Sequence, residues 1–197
     1  LYGMSLAGVQ VWNCVRAVDF LSSLPDVDST RIGCTGASGG ASQTILLMTV
    51  DERIKVAAPV NIIGMKKHPG CLCENAPGLW RDATTVELAA VFAPRPLILC
   101  SATEDPWTNS CPEREFPFIS KYYELYGAKD NIANVHINAG HNYNADTRAA
   151  VYAFFHKHLK AAGPLIEKPP VIAPEMASLG DMRVFPDKIL PENAIEP

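Results

Sequence analysis

Arg31-Ile32-Gly33-Cys34-Thr35-Gly36-Ala37-Ser38-Gly39-Gly40 is the stretch that decides the fold. Its first half is a short apolar run bounded by turn residues, which predicts a buried strand over residues 31–35. Its second half fits G-x-S-x-G and leads into Ile45-Leu46-Leu47-Met48, which predicts a helix over residues 39–49. Strand, tight turn and helix in this order are what a nucleophile elbow needs. The glycines permit a strained turn that lifts the serine hydroxyl above the sheet. The N–H of the next residue then faces the reacting carbonyl oxygen, with the positive end of the helix behind it. Ser38 is therefore the candidate nucleophile and Gly39 the candidate oxyanion donor. A Gly/Ser turn or a phosphate-binding helix start competes with this reading, but no Lys follows the glycines as a nucleotide loop would require.

On either side of this stretch the sequence alternates strand and helix signals. Leu6, Val9, Val11, Trp12, Val15, Val18, Phe20 and Leu21 recur at three- and four-residue steps, predicting a helix over residues 5–21 with one broad apolar face. Further strands are expected at residues 55–60, 97–100 and 132–137. In the first of these, Pro59 should mark an end or an unpaired rung. Helices are expected at residues 112–125, opened by Pro112 and stopped by Gly127, and at 146–159, with a basic last turn. Residues 64–85 mix Gly, Pro, Cys and Asn without a period and read as a long surface excursion. The alternation predicts an α/β fold with a mostly parallel sheet and helices on both faces. Residues 1–162 form the expected domain. Residues 163–197 hold seven prolines and read as a tail or linker.

A serine hydroxyl needs a base. His141 follows the last strand in a loop of small residues, and carboxyl-end loops of a parallel sheet gather on the side of the elbow. His136 lies within a strand, His156 and His158 in the final helix turn, and His68 on the long loop without a nearby carboxylate. Asp105, leaving the strand at 97–100, is the candidate that holds the imidazole, with the adjacent Glu104 as competitor. The chain order Ser38, Asp105, His141 is that of the elbow-bearing folds. Asp51, Asp82 and Asp130 read as helix-end or surface charges.

With 197 residues and a net charge of −4, the chain has the size of one domain and lacks the basic stripe that nucleic acid or anionic lipid attracts. It contains no run of about 18 apolar residues of the kind that spans a membrane. Six cysteines are too few and too irregular for a disulfide scaffold; Cys34 and Cys100 read as buried thiols. Cys71 and Cys73 form a CxC pair on the long loop, a weak zinc signal, and the disulfide state of these two and of Cys111 stays open. No metal site and no cofactor are expected.

Leu6-Ala7-Gly8 with Trp12, Gly36-Ala37-Ser38-Gly39-Gly40, Cys73-Glu74-Asn75-Ala76-Pro77-Gly78-Leu79, Ala93-Pro94-Arg95-Pro96-Leu97 and Gly140-His141-Asn142-Tyr143-Asn144 together resemble the bacterial acetyl xylan esterase-like α/β-hydrolases, near the dienelactone hydrolases and prolyl oligopeptidases. The resemblance runs over residues 5–160. It implies Ser38 as nucleophile, Asp105 as acid and His141 as base in a serine carboxylic-ester hydrolase. It further implies an acyl-enzyme, deacetylation of a carbohydrate, and export from the cell. A prolyl oligopeptidase-type peptidase would share these residues, and a non-catalytic carbohydrate-binding domain would keep the fold without the activity. The family's sheet has eight strands, with a second oxyanion donor after the third. The strands expected here correspond to the fifth to eighth, so the chain is expected to be the carboxyl-terminal half of a longer hydrolase, with an apolar helix face left uncovered. Oligomeric state cannot be read from these residues.

Overall fold

A computed structural model describes residues 3–66, 72, 74–165 and the isolated positions 167, 180, 182, 183, 185 and 192. The chain begins with α1 (Leu6–Ser23), whose N-cap Ser5 accepts the Gly8 N–H at 3.0 Å. Four strand–helix steps follow: β1 (Ile32–Ala37) and α2 (Gly39–Val50), then β2 (Ile54–Val60) with α3 (Leu79–Asp82) and α4 (Thr85–Val91), then β3 (Leu97–Ala102) and α5 (Glu115–Leu125), then β4 (Ile132–Ile137) and α6 (Ala145–His158). The strands form one parallel sheet in the order β1-β2-β3-β4. Every connection is a helical crossover, as parallel neighbours require.

Helices cover both faces. On one, Val18, Ile45, Met48, Val86, Ile119 and Tyr123 from four helices pack with Ala57, Leu97 and Leu99 of the sheet. On the other, Val151 and Phe154 of α6 cover Val56, Val60 and Ile98. Burying each such large aliphatic or aromatic side chain contributes about 1.5–3 kcal/mol, so the sheet is a firm platform for the loops at its carboxyl edge. Arg95 fixes the far end of α2. Its guanidinium donates to the carbonyls of Met48 (2.9 Å), Ile54 (3.0 Å) and Asp51 (3.3 Å), and its own carbonyl accepts the Tyr123 hydroxyl at 2.7 Å. A cation at the Met48 carbonyl, in the last turn of α2, suits the negative end of the helix.

The expected strands and helices are present, with bounds that differ where tertiary pairing decides them. β1 and β3 each run two residues further than expected, because pairing with β2 and β4 continues to Ala37 and Ala102. Pro59 lies inside β2, and its missing N–H falls between the rungs Ala57 N–H to Pro96 and Asn61 N–H to Cys100; the break is on the β3 side. The helix expected from Pro112 begins only at Glu115, and Pro117 occupies its first turn, where no intrahelical donor is needed. The excursion at 64–85 contains the short α3 and leads into α4, which the sequence reading missed. Thr84 and Glu87 form a capping box at its start.

The broad apolar face of α1 is only partly used. Ala7 and Val18 are buried, whereas Leu6, Val9, Trp12, Phe20 and Leu21 are exposed. Asp82 and Asp130 are exposed as expected. Asp51 is buried at the end of α2, paired with Arg53 (2.5 Å), so it is a helix-end charge but not a surface one. No helix among the described residues is long and apolar enough to cross a membrane. Cys71, Cys73 and His68, and most of the 163–197 tail, lie outside the described residues.

Candidate active site

The turn after β1 is tighter than its sequence announces. A Cβ on Gly36 would lie 2.5 Å from the Gly40 carbonyl oxygen, so the chain doubles back through space that only glycine leaves free. Ser38 follows with φ 56° and ψ −121°, a backbone conformation costly for any residue with a side chain. It is held there by its N–H, which donates to the Val60 carbonyl at 3.0 Å, and by its own carbonyl, which accepts from Ala41 and Ser42 of α2. The amides of Gly39 and Gly40, the first two residues of α2, precede any intrahelical acceptor and form the positive end of the helix.

Asp105 and His141 meet in the loops that follow β3 and β4. Asp105 leaves β3 and is fully buried, and its Oδ2 lies 3.2 Å from His141 Nδ1. The same oxygen accepts the hydroxyl of the buried Thr108 at 2.7 Å, and Oδ1 accepts the Trp107 N–H at 3.2 Å. Three donors thus hold one carboxylate. Glu104 is exposed, and among the described residues the hydrogen bond and ion pair to His141 come from Asp105, not from Glu104. The Trp107 ring stands edge-on to the imidazole, with centroids 4.9 Å apart and planes at 80°, restricting its rotation.

Between the two halves runs a short relay that the sequence did not announce. Asn61 is buried with φ 56°, a left-handed conformation that Asn tolerates better than most residues. Its Nδ2 donates to the Asn142 carbonyl at 3.0 Å, while Val60 just before it accepts from Ser38. Through these adjacent residues the turn carrying Ser38 is tied to the loop carrying His141. A second tie joins the Thr35 and Tyr143 hydroxyls at 2.8 Å. Ser38 Oγ makes no hydrogen bond to His141 among the described residues; such bonds often tighten only around substrate. The only foretaste of the relay in the sequence is a lone Asn after a strand, and nothing marks Thr108.

The other histidines are elsewhere. His136 pairs with Ser101 at 2.8 Å on β4, and His158 packs against Phe154 in α6. Burial pushes the Cys100 and Cys111 thiols up to about 12, so neither is a thiolate nucleophile at neutral pH. Both are free, which answers the question left open for Cys111. Among the described residues, no group of three or more His, Cys, Asp or Glu side chains is arranged to hold a metal ion.

The Abhydrolase family model matches residues 43–152, more than half of the chain, including Asp105 and His141. The chain belongs to the Abhydrolase family. It is similar to a solved structure named methylesterase BT1017, with 39% identity, a TM-score of 0.74, and coverage of 78% of this chain and 36% of that one. It is 27% identical over 173 residues to the Bacillus subtilis (strain 168) protein named "Putative hydrolase YtaP", covering 81% of this chain and 56% of that protein. A glucuronoyl esterase of carbohydrate esterase family 15 from Caldicellulosiruptor kristjansonii shares the fold at 18% identity and a TM-score of 0.64, covering 82% of this chain and 52% of its own. The chain thus spans roughly a third to a little over half the length of these relatives. The sequence resemblance to esterase-like α/β-hydrolases holds at the level of family and fold, and the four-stranded parallel sheet with helices on both faces matches part of that fold.

Proposed function

We propose that this chain carries the catalytic groups of a serine carboxylic-ester hydrolase. The observation that carries the reading is the Asp105–His141 pair, 3.2 Å apart, together with a serine held at positive φ at the start of a helix whose turn is tied to the His141 loop through Val60 and Asn61. His141, oriented through Nδ1 by Asp105, takes the Ser38 proton on Nε2 as Oγ attacks the ester carbon. Negative charge develops on the carbonyl oxygen and is met by the Gly39 N–H at the positive end of α2. The alcohol leaves with the proton from Nε2, and an acyl-enzyme remains. Water then adds to the acyl carbon as His141 takes one of its protons. The Oγ–carbon bond breaks, Ser38 is reprotonated, and the acid is released. Burial keeps the carboxylate of Asp105 from wandering, and Thr108 and Trp107 fix its direction.

The proposed substrate is an ester on a carbohydrate. The motif resemblance supports removal of acetyl groups. A specific observation favours a second reading, removal of methanol: the structure sharing 39% identity is named a methylesterase.

Labelling of the intact protein with a serine-directed fluorophosphonate tests the mechanism: wild type is modified and Ser38→Ala is not. An unreactive wild type would favour a non-catalytic, carbohydrate-binding domain. Measuring acetate against methanol release from acetylated and methyl-esterified polysaccharides separates the two substrate readings.

A further inference from the structure

Among the described residues, folding buries the carboxyl groups of Asp51, Asp105 and Glu115. Asp51 pairs with Arg53 and Asp105 with His141. Glu115, 2% exposed at the first position of α5, has no part in the reaction described above. A negative charge suits the positive end of that helix, yet burying a carboxylate is costly unless hydrogen bonds replace its water. Two do so. Oε2 accepts the Ser110 hydroxyl at 3.0 Å, and Oε1 accepts the Met65 N–H at 3.4 Å. A carboxylate receives both donors at once; a carboxamide does so only when the Ser110 hydroxyl turns round to accept.

The two donors come from different loops at the carboxyl edge of the sheet. Ser110 belongs to the coil that begins at Asp105. The Asp105 carbonyl accepts the N–H groups of Thr108 (3.1 Å) and Asn109 (2.9 Å), and the Thr108 carbonyl accepts that of Cys111 (3.0 Å). Holding Ser110 therefore holds the backbone from which the acid projects. Met65 belongs to the segment leaving β2, which is pinned at two further points: the Gly64 N–H donates to the Thr85 hydroxyl at 3.0 Å, and Asn61 reaches the Asn142 carbonyl beside His141 at 3.0 Å. A closed ring results. From Asp105 it runs through Ser110, Glu115, Met65 and Asn61 to the His141 loop, and returns by the Asp105–His141 contact. At 3.2 Å that contact lies at the long end of the range for N–H···O bonds, so it depends on how firmly the two loops are held.

We propose that Glu115 is a positioning residue for the acid and base: by tying the β3 loop to the segment after β2, it keeps the Asp105 carboxylate in reach of His141. It acts through Ser110 and Met65, not on the substrate. The proposal rests on the esterase reading for its effect on turnover but not for the tie itself.

The experiment compares Glu115→Ala, Glu115→Gln and Ser110→Ala with wild type in the intact protein, at a temperature well below the Tm of each. Glu115→Ala is expected to lower kcat for a chromogenic ester, and the rate of fluorophosphonate labelling of Ser38, roughly tenfold to a hundredfold, as misplacement by up to about 1 Å does. KM should stay within about twofold, the pattern of a lost transition-state geometry. Glu115→Gln should recover most of the rate, because both bonds can be remade. Ser110→Ala should lose part of it, and adding Ser110→Ala to Glu115→Ala should cost little more, since the same tie is already gone. Amide hydrogen exchange over residues 61–66, 102–111 and 138–145 reads the tie without catalysis: it should rise in Glu115→Ala and return toward wild type in Glu115→Gln. A wild-type kcat in Glu115→Ala, or an equal loss in the alanine and glutamine variants, would overturn the proposal. So would a raised KM with kcat intact, which would make Glu115 a substrate contact in the cavity it lines with Gly64 and Met65. If Glu115→Ala does not fold, Ser110→Ala decides: a fall in kcat supports the tie and an unchanged kcat overturns it. An unlabelled wild type sinks the esterase mechanism instead, and exchange that stays unaltered around His141 then sinks the tie by itself.

Discussion

Replacing Gly36 by alanine separates two glycines that the G-x-S-x-G pattern treats alike. A Cβ at position 36 would lie 2.5, 2.6 and 2.9 Å from the carbonyl oxygen, carbonyl carbon and Cα of Gly40. All three are backbone atoms of the first turn of α2, so no side-chain rotation relieves the clash. Comfortable separation between such atoms is roughly 3.5 Å, so strand and helix must part by about 1 Å. Overpacking of this kind costs about 1–3 kcal/mol. For a chain of this size each kcal/mol lowers Tm by about 2–4 °C, which gives an expected fall of roughly 2–12 °C. The same displacement moves Ser38 relative to His141, and misplacement by about 1 Å costs on the order of 10²-fold in rate. Gly40 is the internal control. Nothing lies within 4 Å of a Cβ built there, and its φ is not positive. Gly40→Ala should therefore leave stability unchanged or raise it by up to about 1 kcal/mol, since alanine is the better helix former. Thermal unfolding followed by circular dichroism, with fluorophosphonate labelling rates on the same samples, reads both effects. A Gly36→Ala protein with wild-type Tm and labelling rate, or a Gly40→Ala protein damaged as badly, would refute the steric argument.

Three further outcomes are expected. Ser38→Gly should abolish labelling yet raise stability by about 1 kcal/mol, because the positive φ costs glycine nothing; Ser38→Ala keeps the strain and should show no such gain in chemical denaturation. Thr108→Val removes the hydroxyl on Asp105 and should lower kcat for a chromogenic ester roughly tenfold to a hundredfold with KM little changed, whereas Thr108→Ser restores the rate; an unchanged kcat would mean that the other donors suffice. Hydrogen bonds from Arg53 hold the Asp51 carboxyl below its usual range. A carboxyl depressed on folding stabilises the native state above its unfolded value near 4, and that contribution is lost as pH falls through the lower folded value. Asp51→Asn should accordingly cost about 1 kcal/mol at pH 7, a modest figure because Arg53 is partly exposed. The gap from wild type should close in urea melts taken below about pH 4; a gap independent of pH would assign the loss to packing.

Local signals in the sequence determined the alternation of strands and helices, the parallel sheet, and the glycine-bounded turn at Ser38, because each depends on neighbours a few residues apart. They also singled out His141 and the pair Glu104 and Asp105, since the ends of parallel strands must open on one side. They did not separate that pair. Burial of Asp105 and its approach to His141 arise from how β3 and β4 pack, a relation spanning 36 residues. Asn61 and Thr108 stayed invisible for the same reason. An isolated Asn or Thr carries no periodic signal, and its role exists only when a distant carbonyl or carboxylate is brought within hydrogen-bonding reach. α4 was hidden because a seven-residue helix is too short to show its period, and its start is set by a capping box and by packing on α2 and α5. Even the motif was only half legible: the sequence shows two glycines, and only the folded turn shows which of them the backbone requires.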